Sequence, residues 1–445
     1  QRVRHNGRTL LDKSYTWGDN LCLLQTFDTI NGRSVRYDYD AFGSLSGAVY
    51  GDGSRQWRNP DAMGNVYDSP DRTDRSYGRG EQLREDKKWR YYYDSHGNLV
   101  LKTMRRSGPS LETGMRDEFL AWQSGDYAYT WQGNGMLRSV TRPDGKTVTF
   151  RYDALGRRIE KVFDGRVYRY LWDGDVILHE WDYAEADRPN TIVTETGEVT
   201  LDRPEPVENL ISWVYDSDSY VPTAKIVGDR HYSIIGDYIG RPAQVYDDNG
   251  NIVWQADYDI YGNVRNLHGS RQFIPFRQLG QYEDEETVLY YNRFRYYDPN
   301  TGTYISQDPI GLAGNNPTLY AFVKKINTEV DIFGLSATHG HHSDPKFIGG
   351  DPKQVLTNME STDHIDLHRD MNVFLESKTK VINEETVSMR PKRGNSGKVI
   401  RQNFTRQERL DVLAKFYLQN TDKYPEASAD FFSQHPQLQK KSCKS

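Results

Sequence analysis

The residues with the clearest capacity for chemistry lie in the last quarter of the chain. Gly340-His341-His342 precedes His364-Ile-Asp-Leu-His368, so four histidines fall within 28 residues. Side chains four apart are neighbours on a helix. That lets His364 and His368 face one point while an extended strand brings one or two further imidazoles towards it. Neutral imidazole is a ligand for divalent metals and, near pH 7, a proton acceptor. The spacing predicts a metal site of the kind that assists hydrolysis. A lone histidine reads as an ordinary solvated residue or a helix cap; four at this spacing argue for ligation.

The composition sets what can position them. The 445 residues give room for two or three domains, but a hydrophobic content of 36% argues against one large core. Tyrosine (31) outnumbers phenylalanine (16), and 37 glycines recur between short polar-aromatic runs, which suits half-wet β-structure better than helices. Cys22 and Cys443, near opposite ends, make no disulfide framework, in keeping with folding in a reducing compartment. No apolar run approaches the roughly 18 residues needed to cross a bilayer, and no basic-then-apolar leader opens the chain. The chain starts at Gln1 within what reads as a repeat, so a longer protein is expected, with its targeting information elsewhere. Residues 337–445 carry 17 Lys+Arg against 14 Asp+Glu, leaving 40 against 49 for residues 1–336. The tail is mildly basic and the body acidic. A basic tail is compatible with a phosphate backbone as partner, and equally with plain solvated surface.

The body repeats. Tyr39-Asp40-Ala-Phe-Gly43, Tyr93-Asp94-Ser-His-Gly97, Tyr152-Asp153-Ala-Leu-Gly156 and Tyr246-Asp247-Asp-Asn-Gly250 share an aromatic-Asp pair and a glycine three residues after the Asp, with a degenerate copy at Asp61-Ala-Met-Gly64. Each unit predicts a hairpin. The aspartate caps its own turn, the glycine takes positive φ, and the flanking Tyr, Arg and Val alternate as strands. Gly43 to Gly64 and Gly135 to Gly156 are both 21 apart, a period that marks a stacked β-array in which each unit is buried only by its neighbours.

These units resemble the YD repeat of Rhs proteins. The likeness sharpens over residues 274–312, which include Arg277, Gly280, Tyr290-Tyr-Asn292-Arg293-Phe-Arg295-Tyr-Tyr-Asp298 and Asp308-Pro-Ile-Gly-Leu312, and which are similar to the Rhs core-terminal motif almost residue for residue. The resemblance implies a hollow β-shell that encloses a C-terminal toxin until delivery. The present chain is short for a whole shell. It also implies self-cleavage. Asp308-Pro-Ile-Gly-Leu312 and Asp331-Ile-Phe-Gly-Leu335 resemble the paired motifs that flank the family's cut site, which places an aspartyl-protease-like pair at Asp308 and Asp331, an assisting cation at Arg295 and the scissile bond at Leu335–Ser336. Two neighbouring carboxyls cannot both ionise cheaply, so one keeps a proton as acid while the other activates water. Ile332 stands where the family has proline, which removes a pre-set turn angle and is expected to slow cleavage or leave it intact. Turn-capping alone is the plainer reading of both aspartates.

The histidine cluster resembles the HNH (ββα-metal) nucleases, in particular the GHH class related to endonuclease VII. That resemblance makes His341, His364 and His368 the metal ligands and His342 the general base. Lys346 and Arg369 are candidate phosphate contacts, as are Lys392 and Arg393 in the basic loop Met389–Arg401. The middle residue of the motif is open between Asn358 and Gln354. The metal is divalent, and Mg, Mn, Ni and Zn are not distinguished by these ligands. From Met371 onward the pattern predicts mostly helix, with an N-cap at Phe404-Thr405.

The expected protein is mainly β: a YD-repeat shell over 1–273, a core-terminal autoprotease region over 274–335 and a small α+β ββα-metal nuclease over 336–445. By resemblance it is an antibacterial pro-effector made in the bacterial cytoplasm, exported by contact-dependent machinery such as type VI secretion through a spike or adaptor contact in the absent upstream region, and active in the target-cell cytoplasm. DNA is the expected substrate, a cognate immunity protein the expected inhibitor, and a homodimer one possible assembly. RNase or other phosphodiesterase activity on the same scaffold is the alternative enzyme reading. A non-enzymatic adhesion protein with a vestigial tail is the alternative outside enzymes.

Overall fold

The computed structural model describes the chain apart from residues 6–7, 19–21, 42, 106–120, 217–218, 279, 312–317, 324–325, 336–337, 342–356, 383–384, 390–402 and 439–445. It divides into two compact units, Gln1–Leu335 and Ser336–Ser445.

The first unit is antiparallel β-structure, with short 3-10 turns as its only helical segments among the described residues. A six-stranded sheet runs in chain order from Arg2–His5 to Arg55–Trp57, and a sixteen-stranded sheet from Ser76–Tyr77 to Val264–His268. A separate hairpin, Thr191–Val193 with Val199–Leu201, buds from the larger sheet. The strands form because apolar and polar residues alternate. In Thr147–Tyr152, Val148 and Phe150 are buried while Thr147, Thr149 and Arg151 are exposed.

The turns share one device. Asp61, Asp94, Asp153, Asp237, Asp247 and Asp259 each accept, on Oδ1, the backbone N–H groups two and four residues on, at 2.8–3.1 Å. On Oδ2 each accepts the side chain of that fourth residue, Asn65, Asn98, Arg157, Arg241, Asn251 or Asn263, at 2.6–3.2 Å. The intervening glycines have φ between +72° and +92°, which only glycine adopts without strain. Both oxygens of each carboxylate are thus used within the turn. Two of these turns, at Asp237 and Asp259, extend the repeat beyond the copies read from the sequence.

A four-stranded sheet, Tyr282–Asp284, Leu289–Asn292, Arg295–Asp298 and Thr303–Tyr304, closes the unit. Sixteen flat strands at about 4.8 Å spacing would separate the outer two by about 70 Å. Here Arg75, beside the first strand, donates to the Thr301 carbonyl at 2.6 Å and lies over the ring of Tyr261, which leads into the last. The large sheet therefore curls round the small one, which packs on its concave face. The contact is charged as well as aromatic. Arg158, fully buried in the middle of the large sheet, pairs with Asp284 and is ringed by Phe150, Tyr170, Tyr282 and Tyr291 at 4.6–5.4 Å. Lys161 reaches Asp284 at 3.3 Å and Glu286 at 3.1 Å, and Lys102 reaches Asp298 at 2.9 Å.

In the second unit, Thr338–His341 pairs antiparallel with Thr357–Glu360, with Thr338 opposite Glu360 and His341 opposite Thr357. Helix α1 (Ser361–Glu376) follows directly, then the hairpin Thr379–Ile382/Glu385–Ser388, helix α2 (Arg406–Gln419) and helix α3 (Pro425–Gln434). The hairpin is an element that the expectation of mostly helix from Met371 did not include: the β-branched Thr379, Val381, Ile382, Thr386 and Val387 favour strands. Thr405 caps α2 through a reciprocal capping box with Glu408. Leu367, Met371 and Leu375 of α1 pack in a core with Leu413, Phe416 and Phe431.

Breaking a buried ion pair by removing one partner leaves the other uncompensated. Arg158→Ala is expected to lower the stability of the first unit by about 3–5 kcal/mol, measured by chemical denaturation, whereas Arg151→Ala, an exposed change one strand away, is expected to cost under about 0.5 kcal/mol.

Candidate functional site

Arg295, Asp308 and Asp331 meet in the interior of the first unit. Arg295 opens the third strand of the small sheet, with no exposed surface. Its Nη2 lies 2.9 Å from Asp308 Oδ2 and 3.4 Å from Asp331 Oδ2, so the two carboxylates are no further apart than those distances together allow. Its Nε donates to the Gly334 carbonyl, and its guanidinium stacks on the Tyr304 ring at 3.7 Å.

The two aspartates sit differently. Asp308 Oδ1 accepts the Ile310 N–H at 3.0 Å, and its buried Oδ2 faces Arg295 without an aligned hydrogen bond. Burial pushes the Asp308 carboxyl up to about 6, with Arg295 and the Ile310 N–H pulling down and the charge of Asp331 adding to the rise. Asp331 accepts the Leu335 N–H on Oδ1 at 3.1 Å and the Tyr304 hydroxyl on Oδ2 at 2.9 Å, and Arg295 Nη2 donates to Oδ2. The Asp331 carboxylate is thus bonded to the residue that carries the Leu335–Ser336 bond; Ser336 itself lies outside the described residues.

The fourth residue of each turn is now leucine, Leu312 or Leu335, where the repeats place Asn or Arg. Proline is not needed to hold the second turn. Asn292 Nδ2 donates to the Asp331 carbonyl at 2.8 Å and Phe294 N–H to the Phe333 carbonyl at 3.1 Å, while Ile332 is buried. Gly280 makes room for this backbone, since a Cβ there would meet the Ile332 oxygen at 2.3 Å. Tyr304 and Asn292 are the residues that sequence reading missed. Both stand inside the core-terminal motif but carry no acid or base signature.

The histidines are described at the level of the backbone. His341 ends its strand, and His364 and His368 lie four apart on α1, which follows the partner strand directly. Asn358 is opposite Gly340 in that pair. His342, Lys346, Gln354, Lys392 and Arg393 lie outside the described residues, as do the side chains of His341, His364, His368 and Asn358. Arg369 is exposed, 3.8 Å from Asp370. Among the described residues no three metal-ligating side chains converge.

A family model described as Teneurin YD-shell matches residues 19–323. The chain belongs to the Teneurin YD-shell family. Curated relatives of this YD-shell chain include "Double-stranded DNA deaminase toxin A" of Burkholderia cenocepacia, 30% identical over 71% of this chain and 22% of its own length. "Toxin protein Tse5" of Pseudomonas aeruginosa is 33% identical over 72% of this chain and 27% of its own length. "Probable deoxyribonuclease RhsB" of Dickeya dadantii is 32% identical over 55% and 15%. The YD-shell chain therefore spans between 15% and 27% of the length of these three relatives.

Gly334 has φ +64°, and a Cβ on it would meet the Asn292 carbonyl oxygen at 2.3 Å; Gly311, at φ +62°, has nothing within 4 Å. Gly311→Ala is expected to cost about 1 kcal/mol, the conformational penalty alone. Gly334→Ala is expected to cost at least about 2 kcal/mol more, since the backbone next to Leu335 must also move. Thermal unfolding of the two variants in an Asp331→Asn background, where the chain is expected to stay whole, measures the difference.

Proposed function

We propose that this chain is the C-terminal part of an Rhs-type pro-toxin that cuts itself between Leu335 and Ser336 and releases residues 336–445 as a metal-dependent HNH-like nuclease. The observation that carries the reading is the buried Asp308–Arg295–Asp331 cluster with the Leu335 N–H bonded to Asp331. The division of the chain into compact units between Leu335 and Ser336 supports it.

In this reading one aspartate takes a proton from water as the water oxygen attacks the Leu335 carbonyl carbon. The other gives its proton to the carbonyl oxygen. When the tetrahedral carbon collapses, the C–N bond to Ser336 breaks, the first aspartate passes its proton to the leaving amine, and the hydroxyl proton returns to the second. The products are the Leu335 carboxyl and the Ser336 amine, and Arg295 offsets negative charge throughout.

For the released domain, the imidazoles of His341, His364 and His368 would hold a divalent metal ion, with Mg, Mn, Ni and Zn all open. A bound cation supplies charge neutralisation at a phosphodiester and its leaving oxygen. His342 accepts the proton of the attacking water, and Lys346, Arg369, Lys392 and Arg393 bind backbone phosphates. The strand pair followed at once by a helix with two histidines four apart supports this placement. DNA is the substrate we favour, because "Probable deoxyribonuclease RhsB" is among the relatives; RNA is the alternative. Manufacture in the bacterial cytoplasm, export through a spike or adaptor contact in upstream chain, action in a target-cell cytoplasm, restraint by an immunity protein and homodimer formation belong to the same proposal.

Wild type is expected to yield a fragment of about 12 kDa, at ~0.11 kDa per residue, on a denaturing gel, and to nick plasmid DNA with at least one of Mg²⁺, Mn²⁺, Ni²⁺ or Zn²⁺. His342→Ala should still cut itself but spare the plasmid, and Asp331→Asn should stay whole. Intact plasmid with every metal, even when residues 336–445 are made alone, would remove the DNase assignment and make RNA the next substrate. Because a proton-donating Asp308 loses its proton above about 6, self-cleavage should slow as pH rises through that value, read as rates between pH 5 and 8.

A further inference from the structure

The two carboxyls of the cluster share Arg295 but differ in the neutral groups around them, and the difference traces to two residues of the small sheet. The Tyr304 hydroxyl lies 2.6 Å from Asn292 Nδ2 and 2.9 Å from Asp331 Oδ2. A hydroxyl has a single proton. Because the amide nitrogen donates to it, that proton points at Asp331. The second Asn292 N–H is fixed on the Asp331 carbonyl at 2.8 Å, so the amide bridges the hydroxyl and the backbone of the residue it serves. All three side chains are fully buried, which keeps water from substituting for these bonds. Among the described residues, Asp331 thus collects donors from Tyr304, Arg295 and the Leu335 N–H, whereas Asp308 has one aligned donor, the Ile310 N–H. Donors aimed at a carboxylate favour its ionised form.

We propose that Asn292 and Tyr304 form a positioning relay that holds Asp331 ionised and aimed as the water-activating member of the pair, leaving Asp308 as the proton carrier. The inference rests on the autoprotease reading above and assigns its two roles. Among the described residues, the groups facing Asp331 are Arg295, Asp308, Tyr304 and Asn292. Of these only Tyr304 is changed by Tyr304→Phe, which keeps the ring under Arg295 and deletes one donor.

The test uses the full chain made by cell-free translation, shifted to buffers from pH 4.5 to 8.5, with cleavage followed on denaturing gels for wild type, Tyr304→Phe and Asp331→Asn. Tyr304→Phe is expected to slow cleavage by on the order of tenfold to a hundredfold at pH 7, the loss of a hydrogen bond to a charged group. It should also move the acid limb of the profile up by about one unit, because Asp331 then ionises less readily. Its uncleaved chain should melt with that of Asp331→Asn. A wild-type rate, or a slower rate with the acid limb unmoved, overturns the relay. If Asp331→Asn also cleaves at the wild-type rate, the autoprotease reading itself falls; if Asp331→Asn is inert while Tyr304→Phe matches wild type, only the relay falls.

Discussion

Charge burial at the centre of the curl is the constraint on which the rest of the first unit depends. A long antiparallel sheet exposes two edges and one apolar face, and it has no internal reason to close. Closure comes from the small sheet at residues 282–304, whose Asp284 meets Arg158 and Lys161 on strand Arg158–Phe163 and whose Asp298 meets Lys102 on Leu99–Met104, four strands away in the large sheet. Each cation is buried and is matched by its carboxylate. The small sheet therefore sits in one register only, and that register brings Arg295 to Asp308 and Asp331. Fold and site rest on the same set of buried ion pairs.

Much of this could be read from residues alone. The Tyr-Asp turns are legible because each uses a local rule: an aspartate that caps its own loop and a glycine that accepts positive φ. The copy at Asp237 escaped because Gly236 replaces the aromatic residue before it, although Arg241 supplies the same side-chain donor that Arg157 supplies elsewhere. The fourth-residue Asn or Arg is a sharper signature than the aromatic. The curl was not legible, since nothing local marks Arg158 as buried; in sequence it is one more arginine on a strand. The hairpin at 379–388 was missed because a few β-branched residues between two helical stretches carry too weak a periodicity to displace a helix assignment.

The two sites differ in how far sequence reaches. Asp308, Asp331 and Arg295 were grouped by resemblance to a motif alone, since 36 residues and several turns separate Arg295 from Asp331 and no local pattern joins them. Tyr304 and Asn292 were invisible for another reason: neither residue type announces acid-base work, and their part follows only from which proton points where. For the histidines the reverse holds. Spacing singled them out as candidates, and the backbone carries His364 and His368 on one helix next to a strand pair that holds His341.

The turns also bear on how a buried carboxylate pair arises inside a repeat structure. In the repeats the fourth residue occupies the second carboxylate oxygen, so the aspartate is chemically silent. At 308 and 331 that residue is leucine, and the oxygen is released to face inward. Exchanging a hydrogen-bond donor for an aliphatic side chain at one position thus frees a carboxylate oxygen from its turn for another partner, here Arg295. A repeat protein holds many such turn carboxylates, and here two of them fall within reach of one buried arginine.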